Sequence, residues 1–209
     1  MYILNLIMPS IIYYSNRILS YFIDHIEGYF ISSKKIIHDI NRDVYINTNL
    51  VIVAHPDDDI LWFGEFLIKN SSNTKVLCIT SANNDIRSKE FIKVMTALNI
   101  SYEMWDYIDS KTHIGSLQLE EELKTICEKF DNIYTHSSCG ETGHPQHIML
   151  HDYIFKISKE KLYIFTPNSW FRDIITDKKN ELLSLYKSQT HVITQHIYLS
   201  MRENHNKYI

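Results

Sequence analysis

Residues 51–64 read VIVAHPDDDILWFG, a run of β-forming residues followed at once by a histidine, a proline and three consecutive aspartates. The apolar start predicts a buried strand, and the apolar residues behind the aspartates predict a helix. Neighbouring carboxylates repel one another, so their accumulation at the end of a strand needs a physical reason. A helix N-cap would favour one aspartate, but it would not explain three of them beside a histidine.

The remainder of the chain continues to alternate between strand-like and helix-like segments. The predicted strands are 49–54, 75–80, 101–107, 131–136 and 161–166, and the predicted helices are 60–70, 86–99, 116–130 and 145–158. This alternation predicts an α/β fold, a Rossmann-like three-layer sandwich with a mostly parallel sheet and helices on both faces. Polar segments follow four of the five strands. Because ligands bind beyond the carboxyl ends of such strands, we expect the functional site at that edge.

Length indicates one domain, 1–209, and the residue patterns divide it into a helical N-terminal extension over 1–45 and an α/β core over 46–209. A formal net charge of -4 gives no electrostatic reason to expect nucleic-acid binding. The three cysteines are widely spaced and form no CxxC pair. A disulfide framework is therefore not expected, and a reducing, cytoplasmic location fits best.

The N-terminal segment allows two interpretations. Residues 18–40 carry apolar side chains four positions apart, which is typical of an amphipathic helix. The uncharged stretch before Arg17 is shorter than the roughly 20 apolar residues that span a bilayer, and it lacks the basic region of a signal peptide. The segment either packs on the core or a partner subunit, or it attaches residues 1–30 to a membrane surface. The oligomeric state stays open.

The histidines and aspartates suit a hydrolytic metal site. Such a site takes three histidine or carboxylate ligands and leaves one position for water, whose pKa the metal lowers towards about 7. A further carboxylate can act as general base. In GETGHPQHIMLH (140–151), Pro145 predicts a helix start, so His144, His147 and His151 share one helical face. Spacing alone does not say which of them bind metal.

Two motifs carry a family resemblance. AHPDDD (54–59) together with GHPQH (143–147) resembles the LmbE-like superfamily, which includes the N-acetylglucosaminyl-phosphatidylinositol de-N-acetylases. TSANNDIRSKEFIKVMTALNIS (80–101) and LLSLYKSQ (182–189) are similar to two further segments of that superfamily, in the same order. The resemblance runs from about residue 49 to about residue 190.

The resemblance implies the following site. Zn²⁺, or Fe²⁺ as an alternative, would be held by His55, Asp58 and His147. Asp57 would be the general base that deprotonates the metal-bound water, and His144 would stabilise the oxyanion. These roles describe a metal-dependent amide hydrolase.

The resemblance also implies substrate contacts from Arg87, Asp59 and Asn84. Two departures from the superfamily pattern fall close to these residues. Asp59 stands where glutamate is usual, so it either supports the site or touches the sugar, and WFGEF (62–66) replaces a more glycine-rich segment. Both departures leave the proposed ligands and base in place, so they bear on substrate identity rather than on activity.

The expected activity is removal of the N-acetyl group from an N-acetylglucosamine-type sugar conjugate, a small-molecule substrate. The alternative is a non-catalytic sugar-binding or scaffold protein that keeps the fold. Retention of Asp57 and of all three proposed ligands argues against that alternative. A dinucleotide-binding oxidoreductase is disfavoured because no GxGxxG segment follows the first predicted strand.

Overall fold

A computed structural model of the protein describes residues 35–40, 48–109, 116–166, 176–201 and 203–208. Its centre is a seven-stranded sheet with the strand order β1-β4-β3-β2-β5-β6-β7. The strands are β1 (Ile36–His38), β2 (Asn49–Val53), β3 (Thr74–Thr80), β4 (Ser101–Tyr107), β5 (Asn132–Thr135), β6 (Leu162–Phe165) and β7 (His205–Lys207). Strands β2 to β6 pair in parallel, whereas β1 and β7 are antiparallel edge strands.

Helices cover both faces of the sheet. They are α1 (Asp58–Asn70), α2 (Asp85–Leu98), α3 (Leu117–Cys127), α4 (Pro145–Ser158), α5 (Asp177–Leu183) and α6 (Thr190–Ser200). Val51 and Val53 of β2 pack in one hydrophobic core with α1, α2, α5 and α6, whereas Leu50 and Ile52 pack in a second core with α3 and α4. Burial of each such side chain contributes about 1.5–3 kcal/mol. The predicted three-layer α/β sandwich is confirmed.

The structure differs from the sequence-based expectation at both edges of the sheet. Ile36–His38, inside the segment expected to be helical, form β1, because pairing with Tyr102, Glu103 and Met104 of β4 outweighs the helical spacing. Strand β7 and helices α5 and α6 were not expected from the sequence pattern. The other predicted strands and helices lie within a few residues of their observed bounds. Residues 1–34 and 41–47 lie outside the described residues, so the extension and its membrane contact stay predictions.

Side chains from the C-terminal part of the chain bind the backbone in the middle of helix α1. The backbone N–H groups of Glu65 and Phe66 donate to the carboxylate of Glu203, at 2.9 and 2.8 Å. Glu203 is buried, and Lys179 Nζ donates to its Oε2 at 2.7 Å. A buried ion pair therefore lies against the backbone of the helix.

Backbone carbonyls of the same helix segment also accept hydrogen bonds from side chains. Leu61 O accepts hydrogen bonds from Lys179 Nζ at 3.2 Å and from Ser200 Oγ at 2.6 Å. Trp62 O accepts a hydrogen bond from His205 Nε2 at 3.0 Å. These side chains give polar backbone groups in the buried middle of α1 additional hydrogen-bond partners. The turn that follows the aspartates is held by residues far away in the sequence.

Among the residues that the structure describes, none of the helices combines the length and hydrophobicity that crossing a bilayer requires.

Candidate active site

The turn between β2 and α1 holds Asp57 in a strained backbone conformation. Its φ is 112°, in the left-handed region, where asparagine and aspartate are enriched among non-glycine residues. Asp57 N donates to Asp59 Oδ1 at 3.0 Å, and Asp57 O accepts from the N–H groups of Ile60 and Leu61 at 3.2 and 2.9 Å. Such strain costs about 1–3 kcal/mol and persists only where surrounding contacts fix it. Because of this turn, the side chains of the consecutive aspartates point in different directions.

Asp59 stabilises this turn from the interior of the protein. Its side chain has no exposed surface, and Tyr186 OH lies 2.8 Å from both carboxylate oxygens. Burial raises the pKa of Asp59 to about 7, although the hydrogen bond from Tyr186 opposes that shift. Both oxygens of Asp59 are bound in the interior, and a contact of Asp59 with the substrate stays a prediction. Support of the site, the other role considered for Asp59, fits the structure.

The Tyr186→Phe variant is expected to lose about 1–3 kcal/mol in the free energy of unfolding, because a buried carboxyl group loses its hydroxyl donor. Urea unfolding followed by circular dichroism measures this change. Tyr163→Phe is the control, because the contact of this half-buried tyrosine is the stacking of its ring on Tyr134, which phenylalanine retains. Equal stability of the two variants would contradict a supporting role for the Tyr186 hydroxyl.

Three donor atoms converge beside Asp57. His55 Nδ1 and His147 Nε2 each lie 3.1 Å from Asp58 Oδ2, and they lie 3.2 Å from each other. Ligand atoms about 2.0–2.1 Å from a tetrahedral cation are separated by roughly 3.3 Å, so this triangle has the dimensions of a divalent metal site. All three side chains are buried. The predicted ligand set is thus brought together with donor atoms facing one point.

Hydrogen bonds on the far side of each histidine orient these donors. His147 Nδ1 lies 2.7 Å from Glu141 Oε2, and His55 Nε2 lies 2.7 Å from Gln146 Oε1. Each acceptor oxygen fixes the N–H on its own side of the ring, which leaves the other nitrogen to face the point of convergence. Ligating histidines in metal sites have outer partners of this kind, so the residues present fit a bound metal.

The charges around the cluster favour a cation. Burial disfavours protonation of His147, yet the charge and hydrogen bond of Asp58 and those of Glu141 raise its pKa to about 9. Burial likewise opposes protonation of His55, but hydrogen bonds with Asp109 and Asp58 raise its pKa to about 10. Burial would raise the pKa of Asp58, but His147 and His55 hold it well below its usual range. The carboxylates therefore create a potential that stabilises positive charge at this point.

His136 and Glu141 are site residues that the sequence patterns did not single out. The buried His136 ring stacks on His147, with ring centroids 3.8 Å apart. His136 Nε2 accepts a hydrogen bond from the N–H of Ala54 at 3.1 Å, and its Nδ1 donates to Glu141 Oε2 at 2.9 Å. Both ring nitrogens of His136 are thus engaged, so this residue supports His147. The sequence feature that indicates His136 is its position at the end of a predicted strand, on the sheet edge where the site is expected.

Among the described residues, two groups of side chains that could hold a metal ion have His147 in common. One consists of His55, His144 and His147, and the other of Asp58, His136 and His147. The predicted ligands combine His55 from the first cluster with Asp58 from the second. Both ring nitrogens of His136 are engaged by hydrogen bonds, whereas the donor atoms of His55, Asp58 and His147 lie within 3.2 Å of one another.

His144 is the half-exposed member of the cluster. It forms the N-cap of α4, where its Nδ1 accepts a hydrogen bond from Gln146 N at 3.3 Å. This bond leaves the proton on Nε2, which is then a donor. Its ring centroid lies 4.8 Å from that of His55. Burial and the charges of His147 and His55 lower the pKa of His144 to about 4, which keeps the ring neutral.

Arg87 lies beside the same cluster, and Asn84 caps the helix that carries Arg87. Arg87 Nη1 pairs with Asp109 Oδ2 at 2.6 Å, and Nη2 donates to Pro56 O at 3.0 Å and lies 3.5 Å from Asp57 Oδ1. The side-chain oxygen of Asn84 caps α2 by accepting two backbone N–H groups at 3.1 Å. Arg87 thus contacts the predicted base directly. Substrate contacts of both residues stay predictions.

His151 lies outside the cluster of donor atoms. The side chain is buried on α4, its Nδ1 lies 3.0 Å from Asp152 Oδ1, and its ring stacks on Phe155 with centroids 6.0 Å apart. The i, i+3, i+7 spacing therefore extends the histidine face of the helix beyond the site.

The protein has a Rossmann-like α/β sheet with a buried cluster of histidine and aspartate side chains at the carboxyl ends of its strands. It is therefore an α/β protein with a candidate metal centre. The chain belongs to the PIG-L family, because the family model described as GlcNAc-PI de-N-acetylase matches residues 50–158. That family includes de-N-acetylases, so membership indicates a deacetylase or another hydrolase.

Two individual proteins are similar to this chain in sequence. Uncharacterized protein L374 of Acanthamoeba polyphaga mimivirus is 30% identical over 168 residues, which cover 71% of this chain and 71% of that protein. The Schizosaccharomyces pombe protein named "Probable N-acetylglucosaminyl-phosphatidylinositol de-N-acetylase" is 27% identical over 138 residues, which cover 54% of this chain and 53% of the yeast protein. The match therefore spans about half of the yeast protein.

A solved structure shares the fold. The conserved protein TT1542 from Thermus thermophilus matches with a TM-score of 0.53 and 19% sequence identity, over 71% of this chain and 82% of that chain. At this identity the likeness shows the fold alone.

Proposed function

We propose that this protein is a metal-dependent hydrolase that removes the N-acetyl group from an N-acetylglucosamine-type sugar conjugate. The observation that carries the proposal is the triangle of His55, Asp58 and His147 donor atoms, with separations of 3.1–3.2 Å, beside Asp57 and the half-exposed His144. Membership of a family that includes de-N-acetylases supports the reaction type. Zinc is the proposed metal, and iron(II) would suit a His₂Asp ligand set as well.

Each residue of the cluster has a proposed part in amide hydrolysis. A divalent cation held by the three donors would polarise the acetamide carbonyl and lower the pKa of water in the site. Asp57 takes a proton from the attacking water and delivers it to the sugar nitrogen as the C–N bond breaks, which gives acetate and a free amine. Arg87, 3.5 Å from Asp57 Oδ1, orients that carboxylate.

His144 completes the proposed mechanism. With Nδ1 occupied by the N-cap hydrogen bond, its Nε2–H donates to the carbonyl oxygen as negative charge develops there. Because His144 is half-exposed while His55 and His147 are buried, the sugar approaches from the His144 side.

The test is acetate release from N-acetylglucosamine conjugates by protein loaded with zinc or iron(II). We expect release that stops when the metal is removed by a chelator and returns when metal is restored, because the three donors are arranged around a cation. Enzymatic quantification of acetate measures the rate. Stoichiometric metal without release from any conjugate would favour the sugar-binding or scaffold alternative, and failure to bind metal would overturn the proposed site.

A further inference from the structure

Trp62 contacts Asp58 through a buried hydrogen bond. The indole Nε1–H donates to Asp58 Oδ1 at 2.9 Å, one helical turn further along α1. The other carboxylate oxygen, Oδ2, faces the nitrogens of His55 and His147. Trp62 is 1% exposed and Asp58 is 4% exposed, so water does not compete for this bond. The two oxygens of one carboxylate therefore have separate tasks.

We propose that Trp62 is a positioning residue that holds Asp58 so that Oδ2 alone is presented to the metal. This inference rests on the proposed function, because it requires Asp58 to be a metal ligand. A carboxylate can bind a cation through one oxygen or through both. A hydrogen bond to Oδ1 fixes the plane of the carboxylate and occupies the oxygen that a second metal bond would need.

The chemistry of the indole suits this role. An indole N–H is a neutral donor, so it orients Asp58 without cancelling its charge. A lysine or arginine in its place would orient the carboxylate but would also repel a bound cation. Outer hydrogen bonds to ligating carboxylates tune metal affinity in this way.

The indole is itself held in place from more than one direction. The ring of Trp62 packs against that of Phe165, with centroids 5.2 Å apart. The backbone carbonyl of Trp62 accepts the hydrogen bond from His205. Trp62 lies in WFGEF (62–66), where the superfamily pattern is more glycine-rich and a glycine would offer no such donor. The bond to Asp58 therefore requires the donor that this chain carries at position 62.

A matched pair of variants isolates the effect. Trp105 also donates a buried hydrogen bond from Nε1 to a carboxylate, Glu103 Oε1, at 2.7 Å, but it packs in the core on the opposite face of the sheet. Trp62→Phe and Trp105→Phe each remove one buried indole and one bond to a carboxylate. Only Trp62→Phe alters a proposed ligand, so general effects of losing a tryptophan appear in both variants.

The experiment measures the zinc Kd of the full-length protein by competition with a chromogenic chelator. We expect Trp62→Phe to raise the Kd by roughly 10–100-fold, as loss of outer hydrogen bonds does in other metal sites. Trp105→Phe should keep the Kd of the unmodified protein. Equal zinc affinities of the unmodified protein and folded Trp62→Phe would overturn the proposal.

A second measurement applies even if Trp62→Phe does not fold. Zinc is spectroscopically silent, so a change in tryptophan emission reports on the indoles. In a Trp105→Phe/Trp170→Phe double variant, which leaves Trp62 as the one tryptophan of the sequence, titration with zinc should change the emission and reach saturation at one equivalent, because the indole of Trp62 contacts a proposed ligand. Constant emission during stoichiometric zinc binding would contradict a link between Trp62 and the metal.

The outcomes separate this inference from the proposed function. Zinc binding that depends on Trp62, in a protein that releases no acetate, would overturn the deacetylase and leave the positioning role supported. Acetate release and zinc affinity that are both insensitive to Trp62→Phe would overturn the positioning role alone. Failure of the unmodified protein to bind zinc or iron(II) would overturn both.

Discussion

Replacement of Asp57 by asparagine is expected to lower kcat for acetamide hydrolysis by roughly 10²–10⁴-fold while metal content is unchanged. Asparagine keeps the size of the side chain but does not accept the proton that the mechanism requires. It also tolerates a φ of 112°, so the turn between β2 and α1 should keep its shape. Rates of acetate release and metal analysis of the purified variant provide the measurement.

Asp85→Asn is the matched control for this experiment. Asp85 is an exposed aspartate in the first turn of α2, at the same edge of the sheet, and it has no proposed part in the reaction. Its variant should hydrolyse the substrate at the normal rate. If Asp57→Asn retained the rate of the control, the general base would be a different residue. If it lost its metal, Asp57 would act on the ligands rather than on the proton.

The largest expected effect on stability comes from Lys179→Met, which should reduce the free energy of unfolding by about 3–5 kcal/mol. The side chain of Lys179 packs closely against Gly64, since a Cβ added at Gly64 would lie only 3.0 Å from it. Methionine fills the same space but carries no charge. Glu203 would then remain buried without the cation that lies 2.7 Å from its carboxylate. Urea unfolding monitored by circular dichroism measures the loss.

The neighbouring lysine supplies the control. Lys178 pairs with Glu181 at 3.0 Å on the surface, where both side chains are largely exposed. Lys178→Met should change stability by no more than about 1 kcal/mol, because solvent screens exposed pairs. Adding Glu203→Gln to Lys179→Met should recover part of the loss, since the buried charge is removed as well. Similar losses for Lys178→Met and Lys179→Met would contradict the importance of burial at this pair.

The parts of the fold that depend on local pattern could be predicted from the sequence. Apolar runs such as NLVIV (49–53) and the spacing of PQHIMLHDYIFKIS (145–158) gave the parallel strands and α4 correctly. The aspartates of 57–59 and the histidines of GHPQH were correctly placed at one sheet edge, because that placement follows from topology alone.

Features that depend on tertiary contacts could not be predicted. Ile36 and Ile37 fit a helical period, but an edge strand of the sheet was available to pair with them. Glu141 reaches His147 only because its backbone adopts a φ of 53°, which the letters GETG did not reveal. The bond from Trp62 to Asp58 depends on the direction of one indole, which the sequence pattern does not specify. Such side-chain contacts are determined by the tertiary structure.

The long-range side-chain contacts to the middle of α1 have a consequence for the order of folding. Helices usually form early because their hydrogen bonds join residues close in sequence. Here Leu61 O is bound by Lys179 and Ser200, which lie 118 and 139 positions away in the sequence, and Glu65 N is bound by Glu203, 138 positions away. These bonds therefore raise the contact order of the helix. The entropy of closing such long loops must be overcome before the turn is complete. We therefore expect these contacts, which lie directly behind the carboxylates of α1, to form late in folding, after the sheet has brought both ends of the domain together.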